Sequence, residues 1–195
     1  ELYIVYNHAR ARLEAAGLTY ECFCTRREIA EAIRAPHTPA GTYPRSCRNL
    51  TVAERQSRRT EREPAIRLRA TEPNWTVTDL LHGRVTASID DFVLRRGDGA
   101  FAYNLAVVVD DAAQGIDQIV RGDDLLDAAP AQAYLAQALG YDEPTYAHVP
   151  LAVNESGQRL AKRDGAVTLR DLSVPTAWDL IGRSLGVRAR SLTDL

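Results

Sequence analysis

The sequence predicts an α/β core that carries an inserted, loop-rich module at about residues 20–65. Segments with helical apolar spacing alternate with short β-type runs, prolines crowd residues 36–44, and a continuous apolar run occupies residues 105–109. The chain has 195 residues, of which 45% are hydrophobic. This length and composition suffice for one domain with a small appendage and a buried core.

The apolar pattern predicts the order of the elements. Helical spacing predicts a helix over residues 6–17 that Gly17 caps. The run at residues 105–109 has no alternation, as expected of a strand that is covered on both faces in a mainly parallel sheet. Strands are predicted at residues 18–23, 65–69, 85–89, 92–95, 101–109 and 149–153.

Sequence signals at helix ends predict the remaining helices. Thr25 with Glu28 and Thr51 with Glu54 form capping-box patterns, which open helices to about residues 34 and 61. Proline near a start and glycine near an end are typical of helices. Further helices are predicted over residues 130–139 and 175–185.

Charge and hydropathy exclude several classes of protein. The formal net charge is -2 with 26% charged residues, so no overall positive field attracts RNA or an anionic membrane. No apolar run approaches the roughly 20 residues that span a bilayer, and no signal peptide is recognisable, so we expect a cytoplasmic monomer without a membrane partner. Because the sequence begins at Glu1 and has no methionine, we expect it to be a fragment.

All the cysteines lie in one window of the predicted module, as Cys22, Cys24 and Cys47. Structural Zn²⁺ takes four tetrahedral ligands, so this clustering predicts a zinc site that needs one more donor. Ligand chemistry favours His37 over Tyr43, since a neutral imidazole binds without losing a proton from a phenol of pKa about 10. The alternative is that the cysteines are small buried apolar residues.

The predicted third helix carries a row of arginines on one face. Arg55, Arg58, Arg59 and Arg62 have the spacing i, i+3, i+4, i+7. Such a row can bind RNA phosphates. Interspersed glutamates and the lack of aromatic residues favour a solvated, salt-bridged helix instead.

Three segments of the second half carry the most specific pattern. They read Phe-Ala-Tyr-Asn-Leu-Ala-Val-Val-Val-Asp-Asp at residues 101–111, Val-Arg-Gly-Asp-Asp at 120–124 and Arg-Leu-Ala-Lys-Arg at 159–163. Together they resemble the second half of a class I glutamyl-type aminoacyl-tRNA synthetase core. With the Cys-x-Cys and Tyr-x-x-x-Cys pattern of the module, the chain is similar to the glutamyl-Q tRNA(Asp) synthetase family from Tyr6 to about Leu169.

The resemblance implies a Rossmann-like class I synthetase core, of which the chain holds the second half with an inserted zinc-binding module. It also implies domain boundaries. Residues 1–19 would end the first nucleotide-binding half, residues 20–65 would form the zinc-binding module, residues 66–170 would form the second half of the core, and residues 171–195 would form a C-terminal helical segment.

The resemblance also implies the roles of individual residues. Lys162 is the only lysine of the chain and matches the second lysine of the ATP-binding KMSKS signature, so it is the predicted catalytic residue that binds ATP and stabilises pyrophosphate. Arg159 and Ala161 depart from that signature. Arg121 matches the glutamate-binding arginine of the family, and Tyr103 matches a tyrosine that hydrogen-bonds the amino acid.

The metal pattern of the family reverses the choice that ligand chemistry favours. It falls on Cys22, Cys24, Tyr43 and Cys47, with tyrosine as a ligand, and bound Zn²⁺ lowers the pKa of a phenol. His37 stays the alternative fourth ligand. The zinc is expected to be structural, because four protein ligands leave no open position.

Without the resemblance, three of these side chains have ordinary interpretations. Tyr103 is then a core aromatic residue, and Arg121 is a surface ion-pair partner of Asp123 or Asp124. His148 lies near the expected nucleotide site but is equally well a buried core histidine. The resemblance favours a functional role for Tyr103 and Arg121.

The implied activity is ATP-dependent, tRNA-independent activation of glutamate, followed by transfer to the queuosine base of tRNA(Asp). Its cofactors and partners would be structural zinc, ATP with Mg²⁺, glutamate and tRNA(Asp) bearing queuosine. One alternative is a fragment of a discriminating glutamyl-tRNA synthetase. Another is a non-catalytic, zinc-containing RNA-binding relative of the synthetases.

Overall fold

The computed structural model describes residues 2–33, 43–151, 153, 169–188 and 191. The chain divides into two compact units. The first comprises Glu1–Ile119 and Asp127–Ala147, and the second comprises Val120–Leu126 and His148–Leu195. No helix of the described ranges has the length and hydropathy that crossing a bilayer requires.

Six α-helices and seven strands form the described part of the chain. The helices are α1 Leu2–Ala15, α2 Arg26–Ile33, α3 Val52–Arg59, α4 Tyr103–Gln114, α5 Ala129–Ala138 and α6 Val174–Leu185. The strands are β1 Thr19–Cys22, β2 Ala65–Leu68, β3 Asn74–Asp79, β4 Gly83–Ser88, β5 Val93–Arg95, β6 Gln118–Gly122 and β7 Thr145–Val149. Short 3₁₀ helices occupy Asp123–Ala128 and Leu169–Asp171.

The strands form two sheets. One has the order β1-β2-β5, with both pairs antiparallel, and thus joins the first strand of the predicted module to the strand that follows the module. The other has the order β4-β3-β7-β6, in which β3 is antiparallel to β4 and parallel to β7. Strand β3 was not predicted, and β7 begins four residues before the predicted strand at 149–153.

The prediction of a strand over residues 101–109 is wrong. Only Phe101 forms a bridge, to Arg95, and helix α4 begins two residues later. Its buried residues Leu105, Val108 and Val109 have the spacing i, i+3, i+4, so one face of a helix is buried rather than both faces of a strand. Helix α4 ends at Gly115, whose φ of 68° is the left-handed conformation of a helix C-terminal cap.

Both predicted capping boxes are confirmed. The amide of Glu54 donates to the Thr51 hydroxyl at 3.3 Å, and the amide of Thr51 donates to the Glu54 carboxylate at 2.7 Å. In the pair Thr25 and Glu28, the amide of Glu28 donates to the Thr25 hydroxyl at 3.1 Å, and the amide of Thr25 donates to the Glu28 carboxylate at 2.6 Å. These reciprocal bonds satisfy amide groups that a helix start otherwise leaves without acceptors.

The main core lies between helices α1, α4 and α5 and the β1-β2-β5 sheet. Most of its members are hydrocarbon side chains, among which five leucines have no exposed surface. They are Leu13, Leu68, Leu94, Leu105 and Leu135. A separate small cluster surrounds the cysteines of the module.

Candidate functional site

The structure brings the three cysteines and Tyr43 together. The Tyr43 hydroxyl lies 3.0 Å from Cys22 Sγ and 3.5 Å from Cys24 Sγ, and Cys24 Sγ lies 3.5 Å from Cys47 Sγ. The three sulfur atoms all lie within 4.8 Å of one another. We call these four residues the metal cluster.

Backbone amides hold the segments that carry the metal cluster in place. Cys22 ends strand β1, and the amide of Phe23 donates to Cys47 Sγ at 3.4 Å. The amide of Tyr43 donates to the Asp90 carboxylate at 2.8 Å. Strand β1 therefore positions Cys22, and the hydrogen bond to Asp90 positions Tyr43.

The protonation of the metal cluster follows from its burial. Burial raises the pKa of Cys24 to about 12 and, with hydrogen bonds to Cys22 and Cys24, raises the pKa of Tyr43 as well. Burial also opposes ionisation of Cys22, but hydrogen bonds from Tyr43, from the Cys24 backbone and from Arg67 outweigh it, so the pKa of Cys22 is lowered. Of Cys22 and Cys24, Cys22 is thus the thiol that ionises first.

The donor set fits tetrahedral Zn²⁺. Ligand atoms about 2.0–2.3 Å from a zinc ion lie about 3.5–3.8 Å apart in a tetrahedron, close to the separations of the metal cluster. The cysteines are free thiols rather than a disulfide. The alternative fourth ligand, His37, lies outside the described residues, and the choice between His37 and Tyr43 stays a prediction.

A buried carboxylate that sequence reasoning missed links the module to the main core. Asp91 has no exposed surface and accepts hydrogen bonds from Arg48 Nη1 at 2.7 Å and from the Tyr20 hydroxyl at 2.9 Å. It also accepts the amide of Ala70 at 3.1 Å. A single Asp in a sequence gives no sign of such burial, because its partners come from segments 21 to 71 residues away.

Arg121 lies in strand β6 and is half-buried. Its Nε donates to His148 Nε2 at 2.9 Å, and one of its terminal nitrogens donates to the Leu125 carbonyl at 3.3 Å. His148 is fully buried. These contacts give the guanidinium a defined orientation, which a bidentate contact with a carboxylate requires.

Tyr103 is the first residue of α4 and is 57% exposed, so it is not a core aromatic residue. Tyr103 lines a groove of about 580 Å³ together with Cys22, Cys24 and Arg67. The predicted amino-acid contact and the metal cluster therefore border the same groove.

Lys162 lies outside the residues that the structure describes, as do Arg159 and Ala161. Its predicted role at the pyrophosphate and its position relative to Arg121 stay predictions.

Three arginines of the row Arg55, Arg58, Arg59 and Arg62 contact other parts of the protein. Arg59 forms a bidentate ion pair with Glu21 at 2.7–3.0 Å. Arg58 Nη1 lies 3.9 Å from Cys47 Sγ, and Arg62 Nη1 donates to the carbonyl of Phe23 at 3.0 Å. This arrangement supports the interpretation as an ion-paired helix over that of a row free to bind phosphates.

Comparison with known proteins identifies the class. The model of the family described as "tRNA synthetases class I (E and Q), catalytic domain" matches residues 3–183. The chain belongs to this family, which agrees with the resemblance of residues 101–111, 120–124 and 159–163.

The particular relatives are more specific. The chain is 63% identical over 167 residues to a glutamyl-Q tRNA(Asp) synthetase of Nocardia farcinica, covering 85% of this chain and 54% of the relative. It is 45% identical over 177 residues to the protein of the same name from Geobacter sulfurreducens, covering 86% and 54%. The chain thus spans about half the length of the curated relatives that it matches.

Solved structures share the fold. The chain matches a glutamate-tRNA synthetase from Elizabethkingia anophelis with a TM-score of 0.70 and 25% identity, covering 85% of this chain and 36% of that one. The α/β fold is therefore that of class I synthetases, with Rossmann-like topology.

Proposed function

We propose that the protein containing this chain activates glutamate with ATP without needing tRNA, and then transfers glutamate to the queuosine base of tRNA(Asp). The structural observation that carries the proposal is Arg121, a half-buried guanidinium held by His148 at 2.9 Å. The names of relatives up to 63% identical support the same activity.

The chemistry divides into two displacements. The α-carboxylate of glutamate attacks the α-phosphorus of ATP and expels pyrophosphate, and a nucleophilic group of queuosine then replaces AMP on the acyl carbon. Catalysis of the first step is mainly positioning and charge neutralisation. Arg121 would bind the side-chain carboxylate, Tyr103 would hydrogen-bond the amino acid, and Lys162 would neutralise charge on the pyrophosphate of ATP-Mg²⁺.

Zinc has a structural role in the proposal. Cys22, Cys24, Tyr43 and Cys47 would fill the tetrahedron, which leaves no position for a substrate. The bound metal would cross-link segments on both sides of residues 34–42 and keep the groove beside Tyr103 in shape. We retain the proposed domain boundaries, with the zinc-binding module at residues 20–65 between two parts of the Rossmann-like core.

The first experiment is glutamate-dependent exchange of pyrophosphate into ATP by the full-length protein, without tRNA. Lys162→Ala is expected to reduce exchange by orders of magnitude while zinc stays bound. Arg170→Ala, at an exposed arginine outside the segment 159–163, is the control and is expected to retain most of the activity. Equal rates for wild type and Lys162→Ala would remove Lys162 from the site.

A second experiment separates Arg121 from Lys162. Arg121→Lys keeps the charge but loses the planar pair of donors, so it is expected to raise the KM for glutamate more than the KM for ATP. An increase confined to the KM for ATP would contradict the assignment of Arg121 to glutamate.

The alternative within the family is a discriminating glutamyl-tRNA synthetase, which the match to glutamate-tRNA synthetase structures favours. Glutamylation of tRNA(Asp) with and without queuosine distinguishes the two, because only the proposed activity requires the modified base. Absence of exchange at high enzyme concentration would favour a non-catalytic RNA-binding relative.

A further inference from the structure

If the metal cluster binds Zn²⁺, the negative charge of its four ligands exceeds the positive charge of the metal. Three thiolates and one phenolate carry four negative charges, against two positive charges on Zn²⁺, which leaves about −2 in the bound site. Three of the four ligands are at most 4% exposed. A buried excess charge is costly unless cations or hydrogen-bond donors lie against it.

Arg67 is a buried cation that lies against this site. It lies in strand β2, is only 8% exposed, and its guanidinium carbon lies 3.6 Å from the centre of the Tyr43 ring. It also lines the same groove as Cys22 and Cys24. One terminal nitrogen donates to the Asp91 carbonyl at 2.7 Å, which fixes the guanidinium in place. Arg67 therefore contacts one of the four ligands from a fixed position and borders the groove that two others line.

Arg58 is a second cation near the metal cluster and lies in helix α3, whereas Arg67 lies in strand β2. Its Nη1 lies 3.9 Å from Cys47 Sγ, the third ligand. Glu28 and Glu54 line the same groove as Arg58, and each accepts hydrogen bonds at the start of its own helix. Arg58 is exposed, so solvent screens its charge more than that of Arg67.

We infer that Arg67, with a smaller contribution from Arg58, is a positioning residue that compensates the excess charge of the metal cluster and thereby sets its affinity for zinc. This inference rests on the proposed metal centre. It assigns one part of the α3 arginine row to metal binding rather than to RNA. Neither arginine contacts the metal itself, so each acts through a ligand.

The test measures zinc affinity of the full chain by competition with a chromophoric chelator. Arg67→Met removes the charge at similar volume and is expected to weaken zinc binding about 10-fold to 100-fold, as is typical for loss of an outer-shell partner. Arg69→Met is the matched control. Arg69 follows strand β2, and its guanidinium lies 5.2 Å from the Tyr20 ring rather than on a ligand.

Two further variants keep the inference testable if Arg67→Met fails to fold. Arg67→Lys retains the charge and is expected to bind zinc more tightly than Arg67→Met. Arg58→Met is expected to weaken binding a few-fold, whereas Arg59→Met, next to it on α3, is expected to leave binding unchanged. Spectra of the Co²⁺-substituted variants should keep the intensity of a tetrahedral thiolate site, since no ligand is removed.

Each outcome has a separate meaning. Zinc affinity of Arg67→Met within about twofold of wild type, or an equal loss in Arg69→Met, overturns the inference while the metal centre stands. Wild-type protein that binds no stoichiometric zinc overturns the proposed metal centre and the inference with it. Loss of the Co²⁺ thiolate bands in Arg67→Met would show that Arg67 decides the ligand set, contrary to a charge-compensating role.

Discussion

The main core and the metal cluster are buried to a similar degree but by different chemistry. Leu13, Leu105 and Leu135 in the main core have no exposed surface, and Cys22 and Cys47 in the metal cluster are 3% and 2% exposed. Hydrocarbon burial stabilises the first by about 25 cal/mol per Å². The second offers mostly polar atoms, so burial alone costs free energy there until the atoms are paired or bind a metal. Equal burial therefore does not mean equal stability.

Removing the metal is expected to have the largest effect, and only in one region. Cys47→Ser should abolish stoichiometric zinc and open the segments around the metal cluster, because structural zinc binding contributes on the order of several kcal/mol or more to folding. Hydrogen exchange of the Phe23 amide should accelerate greatly while amides of α5 stay protected. Ser46→Ala is the control, and zinc retained by Cys47→Ser would contradict the ligand assignment.

The second-largest effect is expected from removing the charge of Asp91, which connects the metal cluster region to the main core. Asp91→Asn leaves the partly buried Arg48 without its carboxylate partner and should lower the free energy of unfolding by about 3–5 kcal/mol, measured in urea. Asp98→Asn removes an exposed ion pair with Arg96 and should cost at most about 1 kcal/mol. Similar costs for the two variants would show that Asp91 does not join the regions.

A cavity in the main core should cost somewhat less and should not depend on zinc. Leu135→Ala is expected to lower the free energy of unfolding by about 2–5 kcal/mol, with or without chelator. Leu80→Ala is the control, since Leu80 is 60% exposed. A cost that appears only with bound zinc would mean that the two regions are not energetically distinct.

The smallest expected effect concerns a polar contact at the edge of the main core. The Tyr6 hydroxyl donates to Asp110 at 2.7 Å, and this bond, together with burial and the charge of Asp110, raises the pKa of Tyr6. The folded state thus holds this proton more tightly than the unfolded state. The bond contributes about 1 kcal/mol, fully present below about pH 10 and lost as pH rises towards the raised pKa.

Urea unfolding at pH 8 and above pH 10 tests this contact. Tyr6→Phe should be less stable than wild type at pH 8 and should lose less stability at alkaline pH. Tyr3→Phe, on the same helix and 59% exposed, should behave as wild type at both values. An identical pH dependence for Tyr6→Phe and wild type would contradict the role of the bond.

The mistaken strand shows where sequence reasoning reaches its limit. Three consecutive valines at residues 107–109 favour a strand by propensity, and a short apolar run cannot be told from a buried helix by periodicity. Two signals for α4 were present in the sequence. They are the i, i+3, i+4 spacing of Leu105, Val108 and Val109 and the helix-ending Gly115.

Local chemistry by itself determined the helix starts at Thr25 and Thr51 and the turn at Gly17, because each depends on neighbours a few residues away. Only the tertiary structure decided that Tyr43 meets Cys22 and Cys24, that Arg67 stacks on Tyr43, and that Asp91 is buried. These contacts join residues about 20 to 70 positions apart, and their partners depend on how strands pair and how the apolar core forms, which no local pattern encodes.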